Sequence, residues 1–218
     1  MDYNSTYYQF NREDMQHLIP ENVKRILDVG CAGGKFGELL KNKNPGLEVT
    51  GIEIHPEAAR QASKVLDRVI TGNIEELMDI DISDGYFDCI IYADVLEHLR
   101  NPWSVINVYR RFLRTGGYIV CSIPNVRFYK VIINLIKGIW EYAEDGIMDR
   151  SHLRFFTLKS IRELIELNGF KIQTIERKIT KRKTPRRLNR LFLNYLKDFL
   201  TVQYFIVASK NHFGKSNE

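Results

Sequence analysis

Short apolar runs alternate with longer segments of helical spacing along the first 124 residues. Residues 25–29, 48–53, 68–71, 87–92 and 118–122 read as five strands. The first, fourth and fifth are nearly continuous in aliphatic residues, as in a parallel sheet buried on both faces. Residues 34–42, 56–66 and 101–113 carry the apolar spacing of helices, and Pro102 stands where a helix can begin. Strand and helix in alternation predict an α/β domain. Further on, 160–168 reads as a helix stopped by Asn168-Gly169, and 170–177 and 203–210 read as strands. Residues 12–19 suggest a short helix closed by Pro20. Residues 187–200 place Leu188, Leu191, Phe192, Tyr195, Leu196 and Phe199 on one helical face. There is no internal repeat.

The alternation breaks after Pro124. Residues 127–142 are strongly apolar, carry Lys130 and Lys137, and predict one helix. A lid over a substrate, an interfacial helix reaching a lipid-linked substrate and a plain packing contact all suit it. The expected organisation is an N-terminal arm (1–21) and one domain (22–218). That domain carries a helical insert at about 125–150 and a basic, helical insert at about 178–202.

Composition adds limits. The 218 residues are 44% hydrophobic and 27% charged, an ordinary globular balance. No apolar run reaches membrane-spanning length, and the polar, aromatic N-terminus is not a secretory signal. Cys31, Cys89 and Cys121 read as small buried thiols, which fits a cytoplasmic protein. The net charge of +5 is local: residues 177–190 hold eight basic residues and no acid, leaving 5 − 8 = −3 elsewhere. That run is a solvated face or a docking site for an anionic surface or nucleic acid.

Chemistry concentrates at 25–37, which reads as a strand, a glycine turn and a helix start. Glycines permit close approach to a ligand, and a helix N-terminus favours negative charge. The dinucleotide spacing G-x-G-x-x-G fails, because Ala32 and Lys35 stand where glycines are needed. The second strand ends in Glu53, an acid placed to accept hydrogen bonds from ribose hydroxyls. Ile26-Leu-Asp-Val-Gly-Cys-Ala-Gly-Gly34 resembles motif I of the class I S-adenosylmethionine-dependent methyltransferases. Gly72-Asn-Ile-Glu75, the segment from Phe87 to Leu99, and Leu113-Arg-Thr-Gly-Gly117 resemble further motifs in the same order. Ala32, Asn73 and Thr115 depart from the usual glycine, aspartate and proline. The resemblance implies a Rossmann-like seven-stranded methyltransferase sheet, its last strand antiparallel, with helices on both faces. It implies S-adenosylmethionine as cofactor, held by Asp28, Gly30, Cys31, Ala32, Gly34, Glu53, Ile54, Asn73, Ile74 and Ala93. The arm, through Tyr7, Tyr8 and Arg12, is a further candidate contact.

Asp94, Glu97 and His98 follow the fourth strand, at the carboxyl edge where open α/β sheets bind ligands. Helical spacing would put them on one face, and His152 can converge on the same edge. His98 or His152 suits a general base toward an acceptor hydroxyl. Asp94, Glu97, His98 and His152 together resemble the divalent-metal set of small-RNA ribose methyltransferases. Some quinol O-methyltransferases resemble it too. A purely structural turn is the third reading. The expected activity is methylation of oxygen on a small or lipid-linked acceptor, a sugar or quinol. The alternatives are metal-dependent RNA ribose 2'-O-methylation and a non-catalytic cofactor-binding scaffold.

Overall fold

Side-chain parity along the central strands decides the architecture. In β1 (Arg25–Val29), Leu27 and Val29 face one layer and Ile26 the other. In β4 (Phe87–Ala93), Ile90 and Tyr92 oppose Cys89 and Ile91 in the same way. Both faces are therefore apolar, and both are covered by helices. A computed structural model describes residues 12–77, 79–180 and 196–211. It shows one seven-stranded sheet in the order β3-β2-β1-β4-β5-β7-β6. β2 spans Glu48–Glu53, β3 Arg68–Thr71, β5 Leu113–Pro124, β6 Phe170–Ile179 and β7 Thr201–Lys210. β1 to β5 pair in parallel, and β7 lies antiparallel between β5 and β6.

On one face pack α1 (Glu13–Gln16), α2 (Lys35–Lys43) and α3 (Pro56–Ala62), through Met15, Phe36, Leu40 and Ala62. On the other pack α4 (Pro102–Tyr109) and α6 (Leu158–Leu167), through Val105, Ile106, Tyr109, Ile161, Leu164 and Ile165. α5 (Tyr129–Ile136) follows β5, and α7 (Lys197–Leu200) leads into β7. Asn101 caps α4 by accepting from the Ser104 N–H, and Thr157 and Ser160 form a reciprocal cap on α6. Cys31, Cys89 and Cys121 are buried free thiols. Among the described residues, no helix is long and apolar enough to cross a membrane.

Several boundaries differ from the sequence expectation, each for a local reason. The helix expected over 127–142 ends at Ile136, because Gly138 adopts φ 75° and closes the turn onto Leu135. The segment 101–113 leaves α-geometry at Tyr109 and tightens into a 3₁₀ turn over Arg110–Phe112. The helix expected over 56–66 stops at Ala62. Residues 113–117, expected as a turn before the fifth strand, lie within β5, where a register shift lets Phe87 pair with Leu113 and Cys89 with Tyr118. Most of the apolar face at 187–200, the basic residues 181–190, and Tyr7 and Tyr8 lie outside the described residues.

Asn125 joins the end of β5 to the start of β7. It is fully buried, and its Nδ2 donates to the carbonyls of Asp198 (2.7 Å) and Thr201 (2.8 Å). Its Oδ1 accepts from the Arg127 N–H at 3.0 Å, which sets the exit toward α5. Asn125→Ala should lower stability by roughly 2–4 kcal/mol, since it strands buried carbonyls. Urea denaturation measures this, and an unchanged midpoint would contradict the clasp.

Candidate active site

Parallel pairing brings the ends of β1, β2 and β4 to one edge of the sheet. The turn after β1 is built around its own hydrogen bonds. Gly30 and Cys31 N–H donate to the Ile52 carbonyl (2.8 and 3.1 Å), and Gly34 N–H donates to Cys31 (2.9 Å). Ala32, itself at φ 48°, donates to Glu53 Oε2 at 2.9 Å. These four donors hold the turn's shape. Gly30 at φ 68° is required: a Cβ there would lie 2.8 Å from Val95.

Glu53 is buried at the end of β2, and its other oxygen accepts from His55 N–H at 2.9 Å. Ile54 beside it is 54% exposed, an apolar surface at the mouth of the cradle. Ile74 is buried, Ala93 is half-buried, and Asn73 closes a local turn by accepting from the Glu75 N–H. Asp28 lies buried in β1. Burial, then the Glu53 charge, pushes its carboxyl up to about 7, against a smaller lowering by Arg12.

Asp94 does not stand on a helical face with Glu97 and His98. Its backbone is left-handed (φ 55°), and only Leu96–His98 forms a 3₁₀ turn. Its carboxylate turns the other way, to the Arg12 guanidinium, the Ser122 hydroxyl (2.7 Å) and the Gln203 amide. Arg12 also donates to Ser122 Oγ at 2.7 Å, which fixes the end of the N-terminal arm over β4 and β5. The expected four-residue metal set therefore loses Asp94.

Glu97, His98 and His152 do converge, each offering one ligand atom within 4.8 Å of the others. The histidine rings meet edge to face at 4.8 Å. The backbone brings them together: the Leu153 and Arg154 N–H groups both donate to the Glu97 carbonyl. Hydrogen bonds fix both tautomers. His152 Nδ1 faces the Ile147 carbonyl at 3.0 Å, which only accepts, so Nδ1 carries the proton. His98 Nδ1 faces the Ser151 carbonyl (3.3 Å) and Ser151 Oγ (3.2 Å), while that hydroxyl donates to Asp149 at 2.5 Å. Each Nε2 is left with a free lone pair. Burial, then the neighbouring His152, lowers the His98 pKa. Both carboxylate oxygens of Glu97 are buried without a hydrogen-bond partner among the described residues. Burial, and then Asp94, pushes the Glu97 carboxyl well above the ordinary range.

The sequence reading missed Asp149, Ser151, Ser122 and Gln203. The first pair left a signal, since Asp149-Arg-Ser151 is an Asx-turn spacing and Ser151 N–H donates to Asp149 at 2.7 Å. The second pair is contributed by strands remote in sequence.

A family model described as "Methyltransferase domain" matches residues 3–175. The chain belongs to that family. Among curated relatives of this chain, the ubiquinone biosynthesis O-methyltransferase of Alkalilimnicola ehrlichii is 36% identical over 110 residues, 47% of this chain and 42% of that protein. The enzyme of the same name from Cereibacter sphaeroides is 26% identical over 175 residues, 78% of this chain and 68% of that one. The chain thus spans less than half of the first relative. A solved S-adenosylmethionine-dependent methyltransferase from Archaeoglobus fulgidus shares the fold, with a TM-score of 0.71 at 20% identity over 96% of this chain and 100% of that one.

The Asp28 shift has a stability consequence. Its carboxyl is raised from 3.8 to about 7 in the folded methyltransferase, so between those values the folded state holds a proton that the unfolded state has released. Stability should therefore fall as pH rises through that window. Asp28→Asn should remove this part of the slope, gaining melting temperature over the native chain from pH 4 to pH 8. Parallel melting curves for the two proteins would show that Asp28 ionises normally.

Proposed function

We propose that this methyltransferase transfers the methyl group of S-adenosylmethionine to a hydroxyl of a small or lipid-linked acceptor, of quinol or sugar type. The observation that carries the reading is the pairing of two features at one sheet edge. One is a cradle of Asp28, the turn 30–34 and Glu53, whose buried strand-end acid suits ribose hydroxyls. The other is a pair of histidines, His152 buried and His98 half-buried, with free Nε2 atoms. The names of the relatives favour a quinol over a sugar.

In this reading Glu53 accepts from the ribose hydroxyls, and Ile54 and Ile74 cover the adenine. Gly30, Cys31, Ala32 and Gly34 shape the wall, with Asn73 and Ala93 at its rim. Asp28 faces the cationic methionine portion. S-adenosylmethionine, when bound, would supply the methyl group to the acceptor oxygen, the sulfonium–carbon electron pair staying on sulfur as a thioether. The acceptor's proton passes to Nε2 of His98 or His152. Ser151 and Asp149 hold the His98 ring for that transfer.

Glu97 favours a second reading for the same site. A buried carboxylate lacking donors, beside two nitrogens with free lone pairs, fits a divalent cation. Such an ion, when bound, lowers the pKa of a coordinated hydroxyl. Glu97, His98 and His152 would hold it.

Glu53→Ala should weaken S-adenosylmethionine binding by about 1–3 kcal/mol in calorimetry, with NAD failing to compete. Unchanged affinity would take Glu53 out of the cradle.

With labelled cofactor and a catechol or quinol acceptor, His98→Ala should lower kcat by about 10²–10⁴-fold and leave cofactor affinity nearly intact. EDTA distinguishes the two readings: activity kept supports the base, and activity lost but restored by magnesium or manganese supports the ion. Full activity in both His98→Ala and His152→Ala would defeat both.

A further inference from the structure

The exposed apolar surface of this protein is concentrated in one place. Nine large hydrophobic residues are exposed among the described ones, and six of them are Ile133, Leu135, Ile136, Trp140, Tyr142 and Leu153. α5 rests on the domain through Val131 and leaves its last turn outside, where Ile136 is 80% exposed. Gly138 ends the helix there, so Trp140 and Tyr142 continue the strip as an irregular segment. A contiguous patch of this kind marks an interaction surface.

Two observations say what covers it. The first is charge. Residues 127–140 carry Arg127, Lys130 and Lys137 and no acid. Lys130 and Lys137 are exposed and make no ion pair among the described residues. Acids return beyond the Trp140 ring as Glu141, Glu144 and Asp145, all exposed, and Glu144 pairs with Arg150 at 2.6 Å. The second is position. Trp140 packs edge-on against Phe155 (5.4 Å between ring centres), and Phe155 packs against His152 (6.4 Å). Leu153 follows His152 directly, so the strip runs to the rim of the histidine site.

We propose that this strip docks the protein onto an anionic lipid bilayer. Ile133, Leu135 and Ile136 enter the acyl boundary, Trp140 and Tyr142 lie at headgroup depth, and Lys130 and Lys137 meet lipid phosphates. A two-fold contact centred on α5 fits less well, because that helix carries Lys130, is followed by Lys137 and holds no acid, so it would set like charges against each other. Docking in this orientation holds the rim of the site at the membrane surface, from which a lipid-linked acceptor can enter. That last consequence rests on the proposed function, whereas the docking rests on the surface alone.

The test is flotation of the full chain with vesicles of phosphatidylcholine, with and without about 30% phosphatidylglycerol, at low salt. Binding is expected to the anionic vesicles and to be much weaker on the neutral ones. Lys130→Gln and Lys137→Gln should each reduce affinity roughly five-fold. The double variant Leu135→Ser, Ile136→Ser should abolish flotation. Leu167→Ser, an equally exposed leucine on α6, should leave it unchanged. These side chains are exposed, so melting temperatures should match the native chain.

Absence of binding by the native protein would overturn the proposal. So would binding that survives the α5 variants, which would assign it to the basic run 177–190. A dimer dissociated by the double serine variant, without vesicle binding, would give the strip to a second copy and equally overturn it. Methyl transfer to a water-soluble acceptor is followed in parallel. Its failure with flotation intact counts against the proposed function and leaves the docking standing.

Discussion

Three carboxyl groups buried along one sheet edge are the constraint around which this molecule is organised. Asp28, Glu53 and Glu97 are each less than 5% exposed. Burying an ionised carboxylate is costly unless donors or cations answer it. Each acid meets that cost differently. Glu53 accepts two backbone N–H groups, from Ala32 and His55. Asp28 is pushed toward its neutral form, with the Arg12 guanidinium acting the other way. Glu97 is pushed well above the ordinary carboxylate range by burial, and its oxygens have no partner among the described residues. The edge is rich in acceptors and poor in donors. A ligand with a sulfonium, an ammonium and two ribose hydroxyls supplies what it lacks.

The fold exists to hold that edge still. Parallel pairing of β1 with β2 and β4 puts the acids at neighbouring strand ends. Apolar layers on both faces stabilise the sheet against the cost of its polar rim. β7 enters antiparallel and contributes Gln203, which, with Ser122 and Arg12, holds the Asp94 carboxylate toward the arm. Asp94 is engaged by the arm and β7 while Glu97 has no hydrogen-bond partner among the described residues, although only three positions separate them. The Asp149–Ser151 turn does the corresponding work for the histidines, fixing which nitrogen of His98 is free.

How much of this could be read in the residues follows from the range of the interactions. β1, β2 and β3 are continuous apolar or alternating runs, and their bounds match the pattern residue for residue. The place of Glu53 at the end of β2, beside the glycine turn, was legible from the strand pattern. The convergence of His152 with His98 was legible as a topological consequence of following β5. The end of α5 was harder: apolar spacing continues past Gly138, and only the left-handed glycine backbone breaks it. Asp94 misled for a different reason. Its spacing to His98 is helical, but contacts with residues 82, 28 and 109 positions away set its backbone and direction. Local patterns do not carry such information.

The most direct measurement is a crystal structure of the protein with S-adenosylhomocysteine, the demethylated cofactor. The account predicts ribose hydroxyls on Glu53, the adenine against Ile54 and Ile74, and the sulfur directed toward Nε2 of His98 or His152. A nucleoside bound elsewhere, or a sulfur turned away from the histidine pair, would contradict it.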